Sequence, residues 1–230
     1  MITLALDTST PRGSVALLRD DETVSEIFFT RERSADGLFD AIAGVLRGGT
    51  GTNGSNEKCS GNVPGMFRQV PDLIAVGLGP GSFTGIRAGI AAARGLALPR
   101  GTPVVGVCSF DATALSALRA MPGDAEILCV WSEARRGEVY RALFGRDGRV
   151  VRGCEICARE SLGDGLAGKV FLAGPEFTPG AAAAGRLARE KFLANGRVGD
   201  ARLEPVYLRA TEYRRCADST GAASVGMLGT

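Results

Sequence analysis

Ile2–Leu6 is an apolar run that ends in the polar sequence Asp7-Thr8-Ser9-Thr10, the pattern of a buried strand closed by a turn. Pro11, Arg12 and Gly13 predict a turn, and Ser14–Leu18 and Thr23–Phe29 read as two further strands joined by a hairpin loop at Arg19–Glu22. Leu38, Ile42 and Val45 then recur at helical spacing with Phe39 and Leu46 beside them, behind a candidate N-cap at Ser34. Gly48 and Gly49 stop that helix. Residues 48–64 are rich in Gly, Asn and Ser with almost no apolar content, which predicts a flexible surface insertion.

Leu73–Gly77 is wholly apolar, as a strand buried on both faces would be. It runs through a glycine-rich turn into a helix predicted from Thr84 to Leu98 and closed by Pro99. Pro103–Val107 reads as a strand, and Ser109 and Asp111 can cap a helix through Met121. The second half restarts with strands at Ile127–Trp131, Val139–Phe144, Val150–Ile156 and Lys169–Ala173, then an Ala-rich helix at Ala181–Leu193 and a short extended piece at Glu204–Arg209. A meander followed by an α/β unit thus occurs twice, which predicts an α/β protein of duplicated architecture. The expected division is a lobe at 1–108, a smaller lobe at 109–209 and a poorly ordered tail at 210–230.

The 230 residues suffice for one large domain or two small lobes. A 45% hydrophobic and 23% charged composition excludes disorder of the whole chain. Net charge is only +2, less than a protein that grips bare nucleic acid usually carries. Lysine occurs only at Lys58, Lys169 and Lys191, and the arginine excess reads as compositional bias. Histidine is absent, which excludes Ser–His–Asp and Cys–His catalysis, HExxH zinc sites and any imidazole base. Cys154 and Cys157 form a lone CxxC in an extended segment, where residues three apart point to opposite faces, so the six cysteines read as ordinary thiols of a reducing compartment. Asp7 interrupts the early apolar run, and nothing approaches a membrane span of about 20 residues, so a cytoplasmic protein without a secretory signal is expected.

Three segments carry candidate chemistry. Gly77-Leu-Gly79-Pro-Gly81-Ser82-Phe-Thr84-Gly85-Ile86-Arg87 joins a buried strand to a helix N-terminus, where free N–H groups and the helix dipole suit an anion. It is no P-loop, because it has no lysine, and no dinucleotide fingerprint, because no acidic residue lies between Asp72 and Asp111. Gly85, Gly89 and Ala93 also line one helix face and would admit a close neighbour, as a packing device or a partner interface, so phosphate contact and an interface both stay open. Asp7 with its hydroxyl neighbours could hold Mg²⁺ through water, though on residue chemistry alone an Asx or ST turn is favoured. Glu133-Ala-Arg135-Arg136-Gly-Glu138-Val-Tyr140 reads as a solvated hairpin in preference to a cleft surface.

Taken together, MITLALDTST…GSVALL, DLIAVGLGPGSFTGIRAGIAAARGLAL, CSFDATAL, EARRGEVY and PVYLR make most of residues 1–209 resemble the TsaB (YeaZ) family of tRNA threonylcarbamoyladenosine biosynthesis. The resemblance implies an actin-like ASKHA (ribonuclease H-like) fold of two lobes. It implies a non-catalytic accessory subunit that partners TsaD, with TsaE joining the pair and tRNA reached through the complex. No catalytic residue, metal ligand or required cofactor is implied, while ADP or ATP with Mg at the complex interface stays open. The degenerate nucleotide site falls on Asp7, Thr8, Ser9, Gly79, Gly81, Ser82 and Thr84. The partner surface falls on Leu38, Phe39, Ile42, Leu46, Gly85, Ile86, Arg87, Gly89, Ile90 and Ala93. On this reading a monomer leaves Leu38, Ile42, Ile86 and Ile90 partly exposed, and a homodimer forms when TsaD is absent. The chain departs from the family at Ala35-Asp36-Gly37, where His-Ser-Glu is usual, and in its long insertion. The rival reading is a stand-alone ASKHA kinase or ATPase, which needs a second DxGT-like loop that residues 110–200 do not contain. A peptidase lacks both a histidine and a Ser/Lys motif.

Overall fold

The structure, a computed structural model, describes residues 1–30, 36–47, 70–164 and 168–208. The candidate cap Ser34, the insertion at 48–64 and the tail at 210–230 lie outside the described residues. Two mixed sheets organise the chain. The first has β1 (Ile2–Asp7) at its centre, flanked by β2 (Arg12–Arg19) and the edge strand β3 (Glu22–Thr30) on one side and by β4 (Leu73–Gly77) and β5 (Val104–Val107) on the other. β1, β2 and β3 are antiparallel, while β4 and β5 run parallel to β1. The second sheet repeats the scheme with β6 (Ile127–Glu133), β7 (Glu138–Gly145), β8 (Val150–Ala158) and β9 (Val170–Ala173), in the order β8-β7-β6-β9. Again the meander is antiparallel and the last strand joins the first in parallel. This duplicated α/β arrangement is the actin-like fold.

Alternation along β1 decides what covers each face. Leu4 and Leu6 point to one side with Val15, Leu17, Ile74 and Val76, and receive α1 (Asp36–Arg47) and α2 (Phe83–Ala97). Ala5 points to the other side with Ala16 and Ala75. These small side chains let the Ala-rich α4 (Ala181–Ala194) lie close, with Gly185 against Leu18 and Ala5. Between the sheets, α3 (Ser109–Ala117) closes the core of the second sheet through Phe110, Ala114 and Ala117, against Leu128, Val130 and Phe144.

Several expectations are corrected. Arg12 and Gly13 belong to β2, not to a turn, because they continue the ladder to Thr30 and Phe29. The helix expected through Met121 ends at Ala117 and tightens into a 3-10 turn at Leu118–Ala120. Cys108 occupies its cap position, and Ser109 turns its hydroxyl elsewhere. The described part of the expected extended piece, 204–208, lies outside any helix or strand, and Val206 N–H donates to Leu78 O at 2.8 Å. α4 covers the first sheet, and Asp200 is tied to β5 through its N–H on Val104 O and its carboxylate under Gly106 N–H, both at 2.8 Å.

Candidate functional site

β1 ends at Asp7, and β4 ends beside it at Gly77, so the Asp7–Thr10 loop and the glycine-rich turn meet at the same end of the sheet. They are one interlocked unit. Ser9 N–H and Ser9 Oγ–H donate to Asp7 Oδ1 at 2.9 and 2.7 Å, an Asx turn. Ser109 Oγ–H donates to Asp7 Oδ2 at 2.7 Å and accepts from Gly79 N–H at 3.1 Å. Ser82 N–H donates to Ser9 O at 2.7 Å, and Thr8 Oγ–H donates to Gly85 O at 2.7 Å. Asp7 is only 1% exposed. Burial pushes its carboxyl above the ordinary aspartate value, against the opposing pull of the Ser9 and Ser109 hydrogen bonds.

The same loop explains the glycines. A methyl at Gly77 would run into the Asp7 carboxylate, at Gly81 into Ser9 O, and at Gly89 into Thr8 Oγ1. Gly79 adopts φ +88°, where side chains are disfavoured. The glycines serve an internal close approach, the packing role that their small size allowed beside phosphate contact and a partner interface.

This unit fits a magnesium nucleotide poorly. Both oxygens of the one carboxylate are taken by hydroxyl and amide donors. Three N–H groups that could have faced a phosphate are spent inside: Gly79 on Ser109, Ser82 on Ser9, and Gly85 on the Ser82 hydroxyl at 3.3 Å. Ser82 is thereby the N-cap of α2, which begins at Phe83, and Thr84 is left exposed on its first turn.

A cleft of roughly 940 Å³ opens between the sheets above this unit. Ser9, Ser82, Ser109, Phe83, Trp131 and Tyr207 are among the residues that line it, and so are Glu133, Arg135 and Tyr140. The hairpin taken for a solvated loop therefore faces a cleft. Glu133 pairs with Arg159, whose guanidinium lies 5.3 Å from the Trp131 ring centre. Sequence reasoning missed Ser109, because a serine after a strand reads equally as a helix cap. Trp131 is the only tryptophan of the chain, which was a usable signal.

The expected interface residues divide. Leu38, Ile42, Leu46, Gly85, Ile86, Gly89, Ile90 and Ala93 are buried within the chain itself, because the first sheet needs α1 and α2 as its cover. The expectation that a monomer leaves Leu38, Ile42, Ile86 and Ile90 partly exposed is overturned. Phe39, 56% exposed, and Arg87 remain on the surface. Beside Arg87 stand Phe83 and Tyr207, 46% and 48% exposed. Arg87 Cζ lies 3.9 Å from the Phe83 ring centre, its Nε–H donates to Tyr207 Oη at 3.1 Å, and the two rings are 5.7 Å apart.

Comparison with known proteins bears on this site. The family model "TsaD: tRNA N6-adenosine threonylcarbamoyltransferase" matches residues 66–162, which include the glycine-rich turn and the hairpin. The tRNA threonylcarbamoyladenosine biosynthesis protein TsaB of Escherichia coli is 32% identical over 146 residues, 63% of this chain and 55% of that protein. The TsaB of Haemophilus influenzae is 28% identical over 236 residues, which cover 90% of this chain and 92% of that one. Among solved structures, YeaZ from Pseudomonas aeruginosa superposes with a TM-score of 0.70 at 25% identity, over 90% of this chain and 99% of the other.

Proposed function

We infer that this chain, which belongs to the TsaB/YeaZ family, serves tRNA threonylcarbamoyladenosine biosynthesis as a non-catalytic subunit that works by contact. The observation that carries the inference is the state of Asp7. Its carboxylate is walled in and hydrogen-bonded on both oxygens, and the neighbouring amides are spent on the chain itself. On this reading the unit holds the end of the first sheet together. The rival reading, a stand-alone kinase or ATPase, would need those groups free.

The proposed partner is TsaD, with TsaE joining the pair and tRNA reached through the assembly in the cytoplasm. The proposed contact is the solvent side of α2 with Tyr207 beside it (Phe83, Arg87, Arg94 and Tyr207), together with the exposed Phe39 of α1. Exposed aromatics braced by arginine are the side chains that dominate protein interfaces. A second copy of the chain would use the same patch when TsaD is absent. The test is co-purification of the untagged chain with tagged cognate TsaD, followed by sedimentation of the chain alone. A one-to-one complex that displaces self-association supports the reading. A chain that ignores TsaD at micromolar concentrations contradicts it.

A further inference from the structure

Cys108 and Cys154 lie 46 positions apart in sequence, yet their sulfurs are 3.6 Å apart and share a hydrogen bond. Cys108 ends the β5-to-α3 junction of the first sheet, and Cys154 sits on β8, the edge strand of the second. Both thiols are partly accessible. Cys154 stands where the β7–β8 register slips, between Arg152 opposite Leu143 and Glu155 opposite Arg141. The CxxC partner Cys157 pairs with Val139 further along the strand and comes close to Arg141, whereas Cys108 and Cys154 both pack against the core of the second sheet that includes Phe110 and Ala114 of α3.

We propose that Cys108 and Cys154 form a redox-active dithiol site that a small-molecule disulfide converts into an intramolecular disulfide between the two sheets. A disulfide needs its sulfurs about 2.05 Å apart. The sulfurs must therefore close by roughly 1.5 Å from their hydrogen-bonded separation.

The chemistry balances as thiol–disulfide exchange. The Cys154 thiolate attacks one sulfur of the oxidant RSSR, forming a mixed disulfide and expelling RS⁻. Cys108 then loses its proton to RS⁻, and its sulfur attacks the Cys154 sulfur and expels the second RS⁻, which takes up the proton first lost by Cys154. Two protein thiols are oxidised, and RSSR is reduced to two RSH. The order of attack follows from the shared hydrogen bond. It raises the Cys108 thiol, with burial acting in the same direction, and holds the Cys154 thiol below its ordinary value, so Cys154 ionises first. The consequence is mechanical. Cys108 immediately precedes Ser109, whose hydroxyl holds Asp7 and Gly79, so the bond fastens the edge of the second sheet to the floor of the cleft.

The test uses the full chain. Reduced protein is equilibrated in glutathione buffers of rising oxidised fraction, quenched with acid, alkylated and digested, and each cysteine is followed by mass spectrometry. The expected result is a Cys108–Cys154 linked peptide that accumulates before any other protein disulfide and is reversed by dithiothreitol. Cys154→Ser should leave Cys108 without an intramolecular partner. Separate glutathione adducts on the two residues, a Cys154–Cys157 link, or both thiols still free after the other cysteines have oxidised would each overturn the proposal.

Discussion

Asp7 is the residue on which the site turns. A carboxylate after the first strand of this fold invites a metal, but here its hydrogen bonds are made with Ser9 and Ser109 at 2.7 to 2.9 Å. Its folded-state value is raised above the unfolded one by burial. The stability this group supplies is therefore fully present below the unfolded aspartate value, about 3.9, and is lost as pH rises through the folded value. Asp7→Asn removes that titration. The variant should gain stability on its parent as pH climbs from 4 toward 7, which urea unfolding at several pH values would measure. A variant that loses ground over the same interval would mean that the charged form is the favoured one.

At the scale of the element, α2 is a helix with two faces, and only one was legible. The strand before it, the helix itself and its small residues could be read from the sequence because a wholly apolar run and helical spacing are local signals. Which side faced inward could not. Gly85, Gly89 and Ala93 make a small-residue ridge that suits a partner helix as well as a sheet, and only the tertiary position of Thr8 decides between them. The two faces should now separate on mutation. Gly89→Leu drives a side chain into Thr8 and Val76 and should cost about 1–3 kcal/mol of folding stability, the usual penalty for overpacking, seen as a lower urea midpoint. Arg87→Glu, on the exposed face, should leave that midpoint nearly unchanged and weaken binding to TsaD at least tenfold, read by titration calorimetry. A stable Gly89→Leu chain would return the small ridge to the surface and undo this assignment.

Across the whole molecule, the order of elements disclosed the duplication. A meander followed by an α/β unit occurs twice, and the sheets β3-β2-β1-β4-β5 and β8-β7-β6-β9 realise it. No local pattern announced the return of α4 and residues 200–208 to the first sheet, which rests on contacts between residues as distant as Ser14 and Ala181, 167 positions apart. The same return places Val206, Tyr207 and Leu208 at the cleft, within reach of Phe83. The proposed role is support of tRNA modification by contact, with the Asp7 carboxylate serving structure. The most direct measurement is threonylcarbamoyladenosine formed on tRNA in a reconstituted reaction with cognate TsaD and TsaE and either the parent chain, Asp7→Asn, Arg87→Glu or no chain. Asp7→Asn should sustain the parent rate, while Arg87→Glu should fall toward the rate without the chain. An Asp7→Asn chain that folds and binds TsaD normally yet abolishes product would contradict the account and return Asp7 to catalysis.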